Sequence, residues 1–263
     1  VNYSYSPEGR YLINDYHKIL HTKNIRSYLD ENTMTPYCYG EMYDSTINME
    51  SYKSYSHGLE DMRLFEYMGE LYFICTNVNY NPDGKNRIII GKYDIEKLAY
   101  SECRILEPPT DTRCEKNWIP LVFGEELSFI YSWSPMTIGR LNTDNKLEIV
   151  NTFEVTEPFF QRVRGSTTFI KNEDKLLGVV HYSEECSPRQ YYHMLVELNP
   201  DTFQPLRYSE PFCFQHYGVE FCIGFTINEL SKEYIFWVSK KDNDAAMLTI
   251  PISSILLSRT FTI

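Results

Sequence analysis

The sequence predicts an all-β protein, a five-bladed β-propeller whose first blade is irregular and either complete or lacking an N-terminal strand. Residues that favour strands are abundant, with 22 Tyr and 15 Phe in 263 residues, and no long window has helical periodicity flanked by caps. Paired apolar runs also recur along the chain. They begin at Leu64, Ile119, Thr167 and Phe221, in steps of 55, 48 and 54 residues. Steps of about 40 to 50 residues with four strands each are typical of propeller blades.

Each repeat has the layout of a β-hairpin that opens with charged or polar residues. The paired runs are 64–67 and 71–75, 119–123 and 127–131, 167–170 and 176–180, and 221–225 and 234–238. Polar or glycine-containing turns separate them, as at Met68-Gly69 and Gly124-Glu125. We therefore expect blades at 58–108, 115–156, 164–212 and 218–257. Residues 1–57 would supply the irregular first blade.

Length and charge narrow the class of protein. A chain of 263 residues suits one all-β domain, because propellers of this size are often undivided. We expect 1–263 to be that single domain, either the whole protein or a fragment of a longer chain with additional domains, since it begins with Val1 rather than Met. A net charge of −11 without a basic stripe argues against nucleic-acid binding. No apolar run reaches the roughly 18 residues that a membrane helix requires.

The seven cysteines indicate a reducing compartment. No CxxC pair or metal-like spacing occurs among them, and most lie in apolar strand contexts where a free thiol packs as a small hydrophobe. An odd number without a secretory signal favours the cytoplasm. We expect reduced, structural thiols and no metal site. They are Cys38, Cys75, Cys103, Cys114, Cys186, Cys213 and Cys222.

The segment 58–65 is the strongest candidate for a functional site. It places Glu60, Asp61 and Arg63 directly before a buried hairpin, where charges are costly unless they pair or line a polar cavity. In an extended strand Asp61 and Arg63 would share one side and Glu60 would point away. One carboxylate beside one guanidinium suits the binding of a polyol or an oxyanion.

Five segments in order along the chain carry a resemblance to a known group of proteins. They are Gly58-Leu59-Glu60-Asp61-Met62-Arg63-Leu64-Phe65, Glu115-Lys116-Asn117-Trp118-Ile119-Pro120, Arg164-Gly165-Ser166-Thr167, Val180-His181-Tyr182-Ser183 and Ser239-Lys240-Lys241-Asp242. With them the chain resembles the five-bladed propeller glycosidases and phosphorylases, in particular glycoside hydrolase family 130. It is similarly close to the β-mannoside phosphorylases and mannosyltransferases of glycosyltransferase family 108. Met62 stands where family 130 usually has proline.

The resemblance implies roles for the matching residues. Asp61 would be the catalytic acid and Arg63 would bind the sugar or phosphate. The substrate-binding residues on later blades would be Lys116, Asn117, Trp118, Arg164, His181, Tyr182, Glu220 and Asp242. Of these, Lys116 and Arg164 correspond to basic residues that cradle phosphate, and Asp242 to an aspartate that holds sugar hydroxyls.

These roles fit the cleavage or transfer of a glycosidic bond. Cleaving a glycosidic bond needs an acid for the leaving oxygen and a nucleophile on the opposite face. A phosphorylase needs one carboxylate, because phosphate is the nucleophile and cations hold it. One acid, Asp61, among Arg63, Lys116, Arg162 and Arg164 favours inverting transfer or cleavage of a hexosyl unit, with phosphate or a sugar phosphate as co-substrate. We expect no other cofactor, a carbohydrate as the partner, and no membrane or nucleic acid.

Simpler interpretations stay open at this point. Asp61 and Arg63 could form only a salt bridge, Lys116 could be a solvated loop residue, His181 a core histidine and Asp242 part of a turn. Glu220 could be a second carboxylate, which would allow hydrolysis by water. A propeller can also be a non-catalytic module that binds a glycan or a protein, since fold alone does not decide function.

Overall fold

The computed structural model describes residues 1–6, 8–30, 32–186, 189–215 and 218–262. Within these ranges the regular secondary structure is almost entirely β-strand. Its helices are short 3₁₀ turns at Asp44–Thr46, Pro158–Arg162 and Ile252–Ser254. In the described part of the chain, no helix is long and apolar enough to cross a membrane.

The N-terminal region is not a four-stranded blade. Its described strands are β1 (Tyr3–Tyr5), β2 (Tyr11–Ile13), β3 (Leu20–His21), β4 (Ile25–Leu29), β5 (Pro36–Glu41) and β6 (Ser56–His57). They form three separate pairs: β1 with β2, β4 with β5, and β3 with β6 in parallel. The expected first blade at 1–57 is therefore not observed as one sheet. The physical reason is the lack of an apolar face, since five of the six residues of β5 are exposed.

Two regular blades follow, and both have four antiparallel strands. Blade A consists of β7 (Glu60–Tyr67), β8 (Glu70–Asn77), β9 (Arg87–Asp94) and β10 (Ala99–Leu106), paired in that order. Blade B consists of β11 (Ile119–Phe123), β12 (Glu126–Trp133), β13 (Met136–Leu141) and β14 (Leu147–Phe153). These blades lie within the predicted ranges 58–108 and 115–156.

The next two blades depart from the four-stranded pattern. Blade C contains β15 (Arg164–Gly165), β16 (Ile170–Asn172), β17 (Lys175–Glu184), β18 (Gln190–Leu198) and β19 (Pro205–Tyr208). Both β15 and β16 pair with β17, so its first strand is interrupted, and β23 (Arg259–Thr260) adds to β19. Blade D has three described strands, β20 (Glu220–Asn228), β21 (Glu233–Lys240) and β22 (Asp244–Pro251).

The four blades are arranged as a propeller whose faces pack through apolar clusters. One cluster joins blades A and B through residues such as Ile74 and Phe129. A second joins B and C, and a third joins C and D. Strand β20 of blade D also contacts β7 of blade A. The prediction of an all-β propeller is confirmed with four blades, and the count of five is not.

The N-terminal region contacts both ends of this row of blades. Met42 and Ile47 are buried in a cluster with Phe73 on the face of blade A that does not pack against blade B. At the other end, Tyr5 of β1 bonds to the turn after β21 of blade D. This arrangement brings β1 and β2 to the strand ends at which the charged residues of the repeats lie.

Candidate active site

A β-bulge at the start of β7 sets the position of the first acidic residues. Asp61 and Met62 lie opposite the single residue Cys75, because the register of β7 on β8 shifts there. Asp61 has a φ of 54°, a left-handed conformation that Asp tolerates better than most residues. The bulge breaks the strand alternation, so the expectation that Glu60 points away is wrong. Glu60 Oε2 lies 3.3 Å from Lys116 Nζ. The charge of the same lysine also opposes the rise that burial causes in the pKa of Asp61.

Arg63 is a buried cation with unsatisfied donors. Its residue is 2% exposed, and within the described ranges its Nε and Nη1 have no hydrogen-bond partner. Burial lowers the pKa of Arg63 to about 10, against the opposing charge of Asp61. The ion pairs of the described residues do not include Asp61 with Arg63, which argues against a simple salt bridge. Buried N–H groups of this kind are costly unless a ligand accepts from them.

Burial raises the pKa of the Asp61 carboxyl, and the nearby carboxylates of Glu60 and Asp242 add to this effect. Lys116 and Arg63 act in the opposite direction and do not cancel the rise. For Lys116, burial alone would lower the pKa, but Glu60 and Asp61 outweigh it and raise the pKa. A carboxyl whose pKa is raised holds its proton closer to neutral pH, as a general acid must.

Asp242 meets the N-terminal hairpin at the turn between β21 and β22. Tyr5 Oη donates a hydrogen bond of 2.6 Å to Asp242 Oδ2. Burial raises the pKa of Asp242, although hydrogen bonds from Tyr5 and Tyr3 lower it. Burial, Asp242, Glu60 and Asp61 together raise the pKa of Tyr3. The hairpin of β1 and β2 therefore borders the group of carboxylates.

Aromatic rings of this hairpin form a compact cluster beside Asp242. The ring centroids of Tyr3, Tyr5 and Tyr11 are 5.0 to 6.2 Å apart. Tyrosine combines an apolar face with a hydroxyl, which is the combination that sugar rings require from a binding surface.

His181 is also buried, on β17 of blade C. It is 4% exposed, and its Nδ1 is 2.9 Å from Ser166 Oγ. Burial lowers the pKa of His181 to about 3, and the charges of Arg164 and Arg63 lower it further. Its imidazole is therefore neutral at pH 7. Arg164 is exposed and lies opposite His181 in the strand pairing.

Asn117 lines the junction between blades B and C. It has a φ of 64°, and its Oδ1 is buried without a partner among the described residues. A Cβ at Gly165 would lie 2.4 Å from the backbone oxygen of Asn117. Glycine at this position thus allows the ends of the two blades to approach each other closely.

Trp118 does not present its ring to this region. It is fully buried in the cluster between blades A and B, and its Nε1 donates a 2.8 Å hydrogen bond to Glu115 Oε2. The resemblance implied that Trp118 contacts substrate. Its position instead gives it a packing role that supports Lys116 and Asn117.

Glu220 and Tyr182 also have structural partners. Glu220 is 3% exposed and accepts hydrogen bonds from the backbone N–H groups of 214–215 at 2.9 and 3.1 Å. Tyr182 stacks on Tyr192 with centroids 5.1 Å apart, and the Arg162 guanidinium lies 5.3 Å from its ring. As the neighbour of His181 on a strand, Tyr182 faces the other side of the sheet. These contacts give both residues a structural role.

The structure thus brings Asp61, Arg63, Lys116 and Asp242 together, and the charges of Arg63 and Arg164 both act on His181. It adds Tyr5, which the sequence analysis missed, and Glu60, which was expected to point away. The bulge that turns Glu60 inward leaves no sequence signal apart from the crowding of charges. The contact of Tyr5 with Asp242 joins residues 237 positions apart, and no local pattern could have indicated it.

No family model matches the sequence, and no curated protein matches it. Among solved structures, the chain is similar to a β-1,2-mannobiose phosphorylase from Listeria innocua in complex with β-1,2-mannobiose, with a TM-score of 0.58 and 14% identity over 96% of this chain and 75% of that one. It is also similar to MPT-4, a mannose phosphorylase from Leishmania mexicana in complex with phosphate ion, with a TM-score of 0.51 and 15% identity over 78% and 73%.

A hypothetical protein from Leishmania major gives a TM-score of 0.50 with 16% identity over 73% of this chain and 67% of that one. At such low identities these likenesses establish the fold. The resemblance inferred from the five motifs is therefore confirmed at the level of the propeller fold that these proteins share.

Proposed function

We propose that the chain is a carbohydrate-active enzyme that transfers or cleaves a mannosyl unit with inversion, using phosphate or a sugar phosphate. The observation that carries this proposal is Arg63, a buried guanidinium whose Nε and Nη1 have no hydrogen-bond partner in the described ranges. It stands beside Asp61, whose pKa is raised by burial. An unsatisfied cation next to a protonatable carboxyl suits an anionic co-substrate and a leaving oxygen.

The proposed reaction needs one proton transfer and one displacement. Asp61 donates its proton to the glycosidic oxygen as the bond from the anomeric carbon to that oxygen breaks. A phosphate oxygen forms the new bond to the anomeric carbon from the opposite face, which inverts its configuration. Arg63 and Arg164 hold the phosphate charge through guanidinium hydrogen bonds.

Other residues have orienting roles in this proposal. Lys116, held by Glu60 at 3.3 Å, keeps a positive charge beside Asp61. Asp242 and Tyr5 provide acceptors and a donor for sugar hydroxyls. The names of the two phosphorylases with this fold support the choice of a mannoside, and phosphate was bound in one of them.

Hydrolysis by water is the alternative that a specific observation favours. The bulge places Glu60 near Asp61, and Asp242 is a third carboxylate in the same region. An inverting hydrolase needs a second carboxylate to activate water. Glu60 is already engaged by Lys116 and by the hydroxyl of Ser56. We therefore propose phosphate rather than water as the nucleophile.

A direct assay tests the proposal. The protein is incubated with β-1,2-mannobiose and inorganic phosphate, and mannose 1-phosphate is followed by ³¹P NMR, with Asp61→Asn as the variant. We expect product from the wild type and a loss of about 10²–10⁴-fold in rate for the variant, as for a missing general acid. Free mannose without sugar phosphate would favour the hydrolase. If neither reaction occurs, the chain is a binding module.

A further inference from the structure

A cavity lies outside the group of residues around Asp61. It is a cavity of about 300 Å³ between the N-terminal region and the start of blade A. Its charged and polar lining includes His21, Lys23, Glu41, Asp44 and His57. None of these residues belongs to the group around Asp61.

The central feature of this cavity is the carboxyl of Asp44. Its Oδ1 is buried and has no hydrogen-bond partner among the described residues. Burial raises the pKa of Asp44 to about 6, the charge of Glu41 adds to the rise, and Lys23 opposes it. A buried acceptor that no protein group satisfies is costly, and a ligand with a hydroxyl or an N–H donor would satisfy it.

Two imidazoles form another part of the lining. His21 and His57 are paired across β3 and β6, and their ring centroids are 5.3 Å apart in an edge-to-face arrangement. Each neutral imidazole offers one donor and one acceptor. The close pairing depends on Gly58, where a Cβ would lie 2.0 Å from the backbone oxygen of Thr22.

The charges of the side chains that line the cavity indicate which class of ligand it can bind. Lys23 is paired with Glu41 at 2.8 Å, so an anion would meet Asp44 and Glu41 without a free ammonium from Lys23. No three His, Cys, Asp or Glu side chains of the described residues are arranged to hold a metal ion. An apolar ligand would leave Asp44 Oδ1 unsatisfied. A neutral polyol, with several hydroxyls that both donate and accept, fits this mixture.

The cavity is close to the candidate active site. His57 precedes Glu60 by three residues, which span at most about 10 Å of extended chain. The hydroxyl of Ser56, the neighbour of His57, bonds to Glu60. The cavity and the group around Asp61 are therefore neighbours in the structure.

We propose that this cavity is a second carbohydrate subsite, which holds one hexosyl residue of an oligosaccharide away from the bond that reacts at Asp61. This inference rests on the proposed function for the identity of the glycan. A volume of about 300 Å³ lies at the lower end for small-molecule sites and suits one sugar ring.

The test uses binding, so that it does not depend on turnover. Asp61→Asn protein with ¹³C-labelled histidine is titrated separately with β-1,2-mannotriose, with mannose and with ethylammonium, the last as a simple cation without hydroxyls. The imidazole signals are followed by NMR. We expect saturable shifts of His21 and His57 on addition of the trisaccharide. Asp44→Leu, which removes the buried acceptor, should weaken this binding by about 10- to 100-fold, the loss for one hydrogen bond to a charged group.

The matched control is Asp144→Leu, which replaces an exposed carboxylate in the turn between β13 and β14. It should leave trisaccharide affinity unchanged. Equal trisaccharide binding by the Asp61→Asn protein with and without Asp44→Leu, no shift of either imidazole at saturation, or shifts with ethylammonium alone would overturn the proposal. Saccharide binding at this cavity in a protein that turns over no glycoside would refute the proposed function and leave the subsite standing.

Discussion

Arg63 gives the clearest reason to expect a bound ligand, because it is buried with two unpartnered nitrogens in the described part of the chain. Its replacement by Met removes a buried charge with unsatisfied donors, so we expect the free energy of unfolding without phosphate to fall by less than about 1 kcal/mol or to rise. The increase in melting temperature that added phosphate gives the wild type should disappear, because a ligand stabilises only the state that binds it. Thermal unfolding with and without phosphate measures both effects.

The control for this variant is Arg104→Met, on the outer strand of the same blade, where the arginine is exposed. It should keep the phosphate-dependent increase. A phosphate effect that survives in Arg63→Met would show that the anion binds elsewhere. A loss of more than about 3 kcal/mol would indicate that Arg63 is a structural partner of Asp61.

His181 makes stability depend on pH in a defined direction. Its pKa is lowered from 6.5 to about 3 in the folded protein, so the unfolded chain binds the proton first. The contribution of His181 is complete above pH 6.5 and is lost as pH falls towards 3, by about 1.4 kcal/mol per pH unit. We expect His181→Gln to flatten this part of the profile in urea unfolding at several pH values.

His17→Gln, at an exposed histidine, serves as the comparison and should leave the profile as in the wild type. If His181→Gln has the same slope between pH 4 and 6.5 as the wild type, the imidazole is not kept neutral by burial.

Residue types indicated part of the site before the structure did. The crowding of Glu60, Asp61 and Arg63 ahead of an apolar run was visible, because buried charge needs an explanation wherever it occurs. The direction of each side chain was not visible, since it depends on a bulge that shifts the register of one strand. Trp118 was assigned to substrate by its motif, and packing between blades decides its position instead.

At the scale of elements, the β1–β2 hairpin is the least expected part of the site. Tyr5→Phe removes its hydrogen bond to Asp242 and leaves the ring in place. We expect faster amide exchange in β1 and β2, by about fivefold for a bond worth about 1 kcal/mol, and a higher pKa for Asp242 because the Tyr5 bond lowers it. Hydrogen exchange by mass spectrometry reports the first effect and carboxyl NMR the second.

Tyr67→Phe is a matched control, because Tyr67 Oη also donates one hydrogen bond, at 2.9 Å to the backbone oxygen of Glu125 between blades A and B. It should leave exchange in β1 and β2 unchanged. Equal exchange in wild type and Tyr5→Phe would mean that other contacts hold the hairpin, such as the bond from Asn243 to the Tyr3 backbone.

Elements with a continuous apolar run were predictable from the sequence. The hairpins of blades A, B and D begin within a few residues of the predicted runs, because alternating burial fixes both strand and register. The first strand of blade C was harder, since 166–169 separate β15 from β16. There the Ser166 hydroxyl hydrogen-bonds with His181 Nδ1, and Thr167 Oγ1 accepts a hydrogen bond from the Val179 N–H. Side-chain hydrogen bonds thus replace part of the backbone pairing between the strands.

At the scale of the whole molecule, the repeat spacing predicted a propeller of five blades, and the structure shows a propeller of four. Apolar clusters between neighbouring sheets join blade A to B, B to C and C to D. Residues 1–57 have short strands with many exposed aromatic side chains, such as Tyr16, Tyr39 and Tyr55. Without an apolar face they contribute contacts to blades A and D instead of a sheet.

The central claim is that Asp61 and Arg63 act together on a glycoside and an anion. The most direct measurement is the rate of β-1,2-mannobiose consumption as a function of phosphate concentration, with the product identified by NMR. We predict that consumption requires phosphate, saturates with it and yields mannose 1-phosphate of inverted, α configuration. Consumption at a rate independent of phosphate, or a β-configured phosphate product, would contradict the claim.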